Sequence, residues 1–168
     1  EGFIRAERQT YFASRNPIMR AEEAHRLIDG TSSKLLLALK LRFQEKLLSV
    51  LLFGSYAKGL AKPSSDMDFL VVCESLPEDP AVRTGIVADL VTEILLESGV
   101  RISLTLLSRD EALQEGALGS PLLASMLTGY KVIYDPKRFA SKLLERLSSS
   151  VDMILVERGR SWDLKRTV

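Results

Sequence analysis

The sequence predicts a fold of the α/β (α+β) class, in which short buried strands are flanked by helices. Two observations support this class. Apolar runs of strand length lie at residues 47–53, 69–72 and 101–108. A helical pattern between Asp79 and Gly99 separates the second run from the third, and a crossover of this length is what two parallel strands require.

Residues 1–16 contain two short β-prone runs, Phe3-Ile4 and Tyr11-Phe12, which are compatible with a hairpin. This segment resembles the wing and last strand of a winged-helix DNA-binding domain, which implies DNA as a partner through an upstream recognition helix. The alternative is an arm that packs on the main body or on a second chain, and the residues favour neither interpretation. Because the chain starts with Glu1 and not Met, we expect it to be part of a longer protein.

Two helices are predicted next. The first covers residues 18–29 and ends at Gly30, a residue common at helix C-termini. Thr31-Ser32-Ser33 offers an N-cap for the second helix, residues 34–46. His25, the only histidine of the sequence, has no second His, Cys or Ser near it in the sequence, so we assign it no catalytic role.

The middle of the chain carries clear helix boundaries. Asp79-Pro80 begins a helix well, because Pro is favoured just inside the cap, and Gly99 ends this helix. Ser108 and Glu111 have the spacing of a capping box, which predicts the start of another helix after the third strand.

The C-terminal part predicts a short helix at residues 122–127, a final strand at 130–136 and an amphipathic helix at 136–155. This last helix either packs across the sheet or forms the face of a homodimer. The tail that follows carries Trp162, which is more often a surface anchor than a base-stacking residue.

Composition limits the class of protein. At 168 residues and 46% hydrophobic content, the chain is one domain, or one domain with an appendage. Lys and Arg number 23 against 22 Asp and Glu, so no global charge indicates nucleic acid. The single Cys73 excludes an internal disulfide and favours a reducing compartment. No apolar run approaches the roughly 18 residues of a membrane span and no signal peptide is visible, so we expect a cytoplasmic protein without a membrane partner.

The chemistry of the sequence is concentrated in residues 51–72. Asp66 and Asp68 stand at the start of a strand, where residues two apart point the same way. Two carboxylates on one face repel each other, and such a pair suits Mg²⁺, which usually brings substrate phosphates with it. Upstream, Gly54 permits close approach of a backbone and Ser55 can donate to a phosphate oxygen.

This stretch resembles the signature of the DNA polymerase β-type nucleotidyltransferases. The signature is Gly54-Ser55, ten intervening residues, and then Asp66 and Asp68. The similarity is greatest to the minimal nucleotidyltransferase domains, which share the interior Ala57-Lys58-Gly59 and Pro63-Ser64-Ser65. It extends over roughly residues 47–135, more than half of the chain.

The resemblance implies a small mixed sheet flanked by helices and a reaction in which an NTP donates a nucleoside monophosphate to an acceptor hydroxyl. It also implies Mg²⁺ or Mn²⁺ as the cofactor, with Asp66 and Asp68 as metal ligands and catalytic residues. The residues that would bind the NTP are Gly54, Ser55, Lys58, Lys62 and Ser65. Whether the acceptor is a protein, a nucleic acid or a small molecule stays open.

One departure from the family pattern concerns the third strand. Members that transfer nucleotides usually carry a third carboxylate there, whereas residues 101–108 contain no Asp or Glu, and Ser103 or Thr105 stands roughly in its place. A hydroxyl cannot act as a base near neutral pH. The prediction is therefore a nucleotidyltransferase of weak activity. The alternative is a catalytically impaired nucleotide-binding protein or a DNA-tethered transcriptional regulator.

These interpretations divide the chain into four parts. They are a wing-like hairpin or arm (residues 1–16), a helical linker (17–46), the nucleotidyltransferase core (47–136) and a C-terminal helix with a tail (137–168).

Overall fold

The computed structural model describes residues 17–118, 121–150, 153–158 and 161–166. Residues 1–16, for which the sequence predicts a wing-like hairpin or an arm, lie outside the described residues. The division of the chain into four parts therefore stays a prediction.

Four of the described strands form one mixed sheet. They are β1 (Leu47–Phe53), β2 (Met67–Cys73), β3 (Ile102–Ser108) and β4 (Lys131–Tyr134), and their order across the sheet is β3-β2-β1-β4. Strand β1 runs antiparallel to β2 and to β4, whereas β2 and β3 are parallel. This is the small mixed sheet flanked by helices that the sequence predicts.

Helices cover both faces of the sheet. On one face, α1 (Ala21–Phe43) and α3 (Pro80–Ser98) pack against alternate side chains of β1 and β2. The other face is covered by α4 (Arg109–Leu118), α5 (Pro121–Met126) and α6 (Phe139–Ser150), which pack against the remaining side chains of the same strands. Because both faces are buried, β1 and β2 read as continuous apolar runs and not as alternating patterns. The structure also has the short helix α2 (Gly54–Ala57) and a 3₁₀ turn at Gln44–Lys46.

The prediction of two helices before the sheet is wrong, because α1 continues through Gly30. Tertiary packing overrides the weak helix propensity of Gly and Ser here. Ile28 and Leu35, on either side of the expected break, are both buried in the same core cluster, and one unbroken helix places both on the sheet. Thr31 and Ser32, two of the three residues predicted to offer the N-cap of the second helix, are buried within α1.

Gly30→Ala is expected to raise the free energy of unfolding by about 0.5–1 kcal/mol, because Ala loses less backbone freedom than Gly in a helix. A Cβ atom at Gly30 would meet nothing within 4 Å. Chemical denaturation measures the change. Gly85→Ala in α3, also in open space, is the matched control and should show a similar gain. A gain at Gly85 with a loss at Gly30 would contradict a continuous α1.

The helix boundaries in the middle of the chain are confirmed. The side chain of Asp79 accepts a hydrogen bond of 2.8 Å from the Ala81 N–H at the start of α3, and Gly99 ends the helix with a left-handed φ of 68°. The capping box is also present. The Ser108 N–H donates to Glu111 Oε2 at 2.8 Å, and the Glu111 N–H donates to Ser108 Oγ at 3.3 Å.

The C-terminal helix is shorter than the sequence predicts. Helix α6 ends at Ser150, and two antiparallel strands follow, β5 (Met153–Arg158) and β6 (Ser161–Arg166). Three consecutive Ser residues weaken the helix, and the β-prone residues after them favour a strand. In the described part of the chain, no helix has the length and apolar character that crossing a membrane requires.

Candidate active site

The predicted site residues meet at one end of the sheet, where β1 ends and β2 and β3 begin. Phe53, the last residue of β1, pairs with Asp68, and Asp68 pairs on its other side with Ser103 of β3. The strand directions produce this meeting, because β1 is antiparallel to β2 and β2 is parallel to β3. Gly54, Asp66 and Ser103 are distant in the sequence, yet they lie at the same edge.

The carboxylate of Asp68 lies directly against the backbone of Gly54. A Cβ atom on Gly54 would overlap Oδ2 of Asp68 and lie 3.2 Å from its Cγ. Gly54 also has a φ of 73°, a conformation that other residues rarely adopt. The first residue of the signature is therefore Gly for two reasons, backbone conformation and the space that the Asp68 carboxylate needs.

Asp68 is a half-buried carboxylate near a second one. Burial raises the pKa of Asp68, and the negative charge of Asp66 raises this pKa further. Among residues 17–118 and 121–150, the carboxylate of Asp68 has no hydrogen bond or ion pair, although the backbone of Asp68 pairs with both neighbouring strands. A cation bound beside Asp68 would favour its charged form, so the arrangement suits a positively charged ligand.

Asp66 already has a positive partner. Its Oδ1 forms an ion pair with Nε of Arg101, the two atoms being 2.8 Å apart, and both side chains are about half exposed. The guanidinium of Arg101 also donates to the backbone carbonyl of Ser64 at 3.2 Å. The two predicted metal ligands thus differ in environment, because one is ion-paired and the other is not.

The connector between β1 and β2 holds the predicted substrate-binding residues. Ser65 Oγ accepts a hydrogen bond of 2.9 Å from the Lys62 N–H, so this hydroxyl stabilises the turn before Asp66. The side chain of Lys58 lies beside Gly129, where an added Cβ would come within 2.9 Å of Lys58 Cγ. Ser55 is partly exposed within α2. Their roles toward a substrate stay predictions.

Strand β3 places a hydroxyl, that of Ser103, next to Asp68. Ser103 is exposed and pairs with Asp68, while Thr105 pairs with Leu70, further from the site. Asp110 lies in α4, which follows the opposite end of β3. No group of three or more His, Cys, Asp or Glu side chains that could hold a metal ion occurs in the part of the chain that the structure describes. Among the described residues, Asp66 and Asp68 are therefore the two carboxylates that this end of the sheet offers to a metal ion.

Sequence reasoning missed two residues of the site. The sequence pattern assigns no role to Arg101, although its position directly before β3 places it beside the start of β2. Tyr56 is almost fully buried beneath the signature. Burial raises the pKa of Tyr56, and the charges of Glu23 and Asp66 raise it further.

Comparison with known proteins identifies the family. The family model described as "Nucleotidyltransferase domain" matches residues 32–120. The chain belongs to this nucleotidyltransferase family. Two relatives are proteins of Methanocaldococcus jannaschii, each named "Putative protein adenylyltransferase". The first, MJ1305, is 33% identical over 143 residues, which cover 83% of this chain and 95% of the relative. The second, MJ0604, is 38% identical over 66 residues, which cover 39% of this chain and 59% of the relative.

Two solved structures share the fold. A toxin–antitoxin crystal structure with AMP-PNP matches with a TM-score of 0.50 and 20% identity, over 70% of this chain and 87% of that one. Spectinomycin adenyltransferase AAD(9) from Enterococcus faecialis, solved with ATP and spectinomycin, matches with a TM-score of 0.51 and 20% identity. That alignment covers 72% of this chain and 63% of the other. At this identity the likeness shows the fold alone.

In this nucleotidyltransferase, Gly54→Ala is expected to lower the unfolding free energy by about 1–3 kcal/mol and to move the Asp68 carboxylate. Gly59→Ala is the matched control, because Gly59 has a similar φ of 69° but nothing within 4 Å of an added Cβ. Denaturation and nucleotidyl transfer are measured for both variants. Transfer should fall at least about tenfold further in Gly54→Ala, since 1.4 kcal/mol of misplacement corresponds to tenfold. Equal losses in both variants would contradict a role of the Gly54–Asp68 contact.

Proposed function

We propose that this chain is a divalent-metal-dependent adenylyltransferase that transfers AMP from ATP to a hydroxyl group of a protein. The observation that carries the proposal is the packing of the Asp68 carboxylate against Gly54, which brings the two halves of the signature together. The choice of AMP and of a protein acceptor is supported by the Methanocaldococcus jannaschii relative, which aligns over 95% of its own length and is named for that activity.

The residues present fit one Mg²⁺ or Mn²⁺ ion. Asp66 and Asp68 offer hard oxygen ligands at the same edge, and the guanidinium of Arg101 at Asp66 shows that a positive charge is favourable there. The missing Cβ of Gly54 leaves room for the Asp68 carboxylate. When bound, the metal supplies charge neutralisation on the phosphates and orients the triphosphate.

The other residues of the signature would hold the nucleotide. We assign the β- and γ-phosphates to the backbone at Gly54 and the hydroxyl of Ser55, with Lys58 and Lys62 as neutralising charges. Ser65 supports the turn that carries Asp66. In the reaction, the acceptor oxygen forms a bond to the α-phosphorus, the bond to the bridging oxygen breaks, and pyrophosphate leaves. Positioning and electrostatics supply most of the acceleration in such a displacement.

Removal of the proton from the acceptor hydroxyl is the step that the residues of this site support least. Ser103, beside Asp68, offers a hydroxyl where family members usually carry a carboxylate, and a hydroxyl accepts no proton near neutral pH. The proton would then leave to solvent. A missing general base typically costs about 10²–10⁴-fold in rate, so we expect slow transfer.

Incubation of the protein with ATP labelled at the α-phosphate, Mg²⁺ or Mn²⁺, and a cell extract as the source of acceptors tests the proposal. Label on a protein band together with pyrophosphate release is the expected result. ATP labelled at the γ-phosphate is the control and should give no more label than the same extract without the protein. Additional label from the γ-phosphate that depends on the protein would indicate phosphorylation and would overturn the proposal.

A second function has one observation in its favour. Among the described residues, the site contains two carboxylates and not three, which suits a protein that binds a nucleotide without turnover. Nucleotide binding in calorimetry, with neither label transfer nor pyrophosphate release over hours, would favour such a nucleotide-binding regulator. DNA contact through an upstream winged helix belongs to the same alternative.

A further inference from the structure

Arg101 places a positive charge on one of the two carboxylates assigned to the metal. Its Nε lies 2.8 Å from Asp66 Oδ1 in an ion pair, and its guanidinium donates a hydrogen bond to the Ser64 carbonyl at 3.2 Å. We propose that Arg101 is a positioning residue that competes with the divalent metal for Asp66, so that the site takes up metal together with the nucleotide. This inference rests on the proposed function, because it concerns the same metal site.

The backbone places Arg101 firmly beside Asp66. The Met67 N–H donates to the Arg101 carbonyl at 2.9 Å, which joins the residue before β3 to the first residue of β2. Asp66 immediately precedes Met67, so the start of the parallel ladder brings the two side chains to the same place. The ion pair is therefore a product of strand register and not of a chance surface contact.

The net charge of the site supports competition between Arg101 and a divalent metal for Asp66. Asp66, Asp68 and Arg101 together carry a net charge of −1 when all are ionised. Affinity of an oxygen site for a divalent cation rises with the number of its negative ligands. A site with one net negative charge holds a free divalent cation weakly, and a bound triphosphate adds the negative charge that the site lacks.

The ion pair is also easy to open. The Arg101 and Asp66 side chains are 63% and 46% exposed, and ion pairs at this exposure are weak. A cavity of about 290 Å³ next to Arg101, lined also by Tyr56, Glu23 and Ser65, leaves room for the guanidinium to turn away from Asp66. Glu23 offers a second carboxylate on that side.

Binding of Mn²⁺ to the wild-type protein and to Arg101→Met tests the inference. Calorimetry without nucleotide should show Mn²⁺ binding about fivefold tighter in Arg101→Met, because the competing charge is gone. The enhancement of Mn²⁺ affinity by a non-hydrolysable ATP analogue should shrink by a similar factor. Arg101→Gln, which keeps a donor for the Ser64 carbonyl, repeats the measurement if the methionine variant does not fold.

Arg109→Met is the matched control. Arg109 pairs with Glu74 at 2.9 Å, with side chains 52% and 49% exposed, at the opposite end of β2 and β3. This variant loses an equivalent surface ion pair and the same charge, so its Mn²⁺ affinity should stay within about twofold of the wild type.

The measurements distinguish a failure of this inference from a failure of the proposed function. Mn²⁺ binding that Asp68→Asn abolishes but that Arg101→Met leaves unchanged or weakens would overturn the competition and leave the metal site standing. Equal tightening in Arg109→Met would also overturn it, because the effect would then be one of net charge. No binding of Mn²⁺ to the wild type, with or without the ATP analogue, would overturn the proposed function and the inference together.

Discussion

Asp68→Asn should lower the rate of AMP transfer by about 10³-fold while leaving the fold intact, because Asn keeps the shape of Asp and loses its charge. Asp68 lies against Gly54 on one side and pairs with Ser103 on the other, so its carboxylate stands at the centre of the site. Release of pyrophosphate and label on the acceptor measure the loss, and calorimetry measures the loss of Mn²⁺ binding.

The same substitution should stabilise the metal-free protein at neutral pH. Burial raises the pKa of Asp68 in the folded state, so the charged carboxylate costs folding free energy above that pKa. The gain in Asp68→Asn is present at neutral pH and disappears as the pH falls below the ordinary pKa of Asp, where both states are protonated. Unfolding measured between pH 3 and pH 8 at low salt, without metal, follows this change.

Asp79→Asn is the control for both effects. Asp79 is the N-cap of α3, far from the site, and Asn caps a helix about as well as Asp. Transfer should be unchanged in this variant. Wild-type transfer in Asp68→Asn, or an equal loss in Asp79→Asn, would contradict the assignment of Asp68.

Local patterns predict the elements of this fold well where a short segment contains all the information. The apolar run at residues 47–53 is strand β1 to the residue, and Gly99 ends α3 as expected. Prediction fails where distant packing decides. Gly30 is a poor helix residue, yet α1 continues through it, because a single helix buries Ile28 and Leu35 against the sheet.

The same distinction between local pattern and distant packing holds for the residues of the candidate site. The signature itself identifies Gly54, Asp66 and Asp68, since these residues lie within fifteen positions of one another. The ion pair of Arg101 with Asp66 depends on the register between two strands that are separated by a whole helix. No local pattern contains that register, so the sequence could indicate the predicted ligands, Asp66 and Asp68, but not their different environments.

The absence of a carboxylate on β3 leads to the second large effect, a gain of activity. Ser103→Asp should raise the rate of AMP transfer by about 10²-fold, because it places a general base beside Asp68 and such a base contributes about 10²–10⁴-fold. Ser103 is exposed, so the new carboxylate stays solvated. Initial rates of pyrophosphate release at saturating ATP and Mg²⁺ measure the gain.

Thr105→Asp is the matched control for this gain. Thr105 pairs with Leu70 and lies two residues further along β3, about 7 Å from Ser103. A carboxylate there adds the same charge to the same strand without reaching the site, so the rate should not rise.

A carboxylate at position 103 should also lower the stability of the metal-free protein, and this loss shows that the new carboxylate lies beside Asp68. Facing Asp68 across the strand pair, it adds repulsion, so the metal-free Ser103→Asp protein should unfold at a lower temperature than the wild type, and Mg²⁺ with an ATP analogue should reverse the loss. Thr105→Asp should show no such rescue. A Ser103→Asp protein that gains this metal-dependent stability but transfers AMP no faster would mean that the missing base does not limit turnover, and would favour a nucleotide-binding regulator.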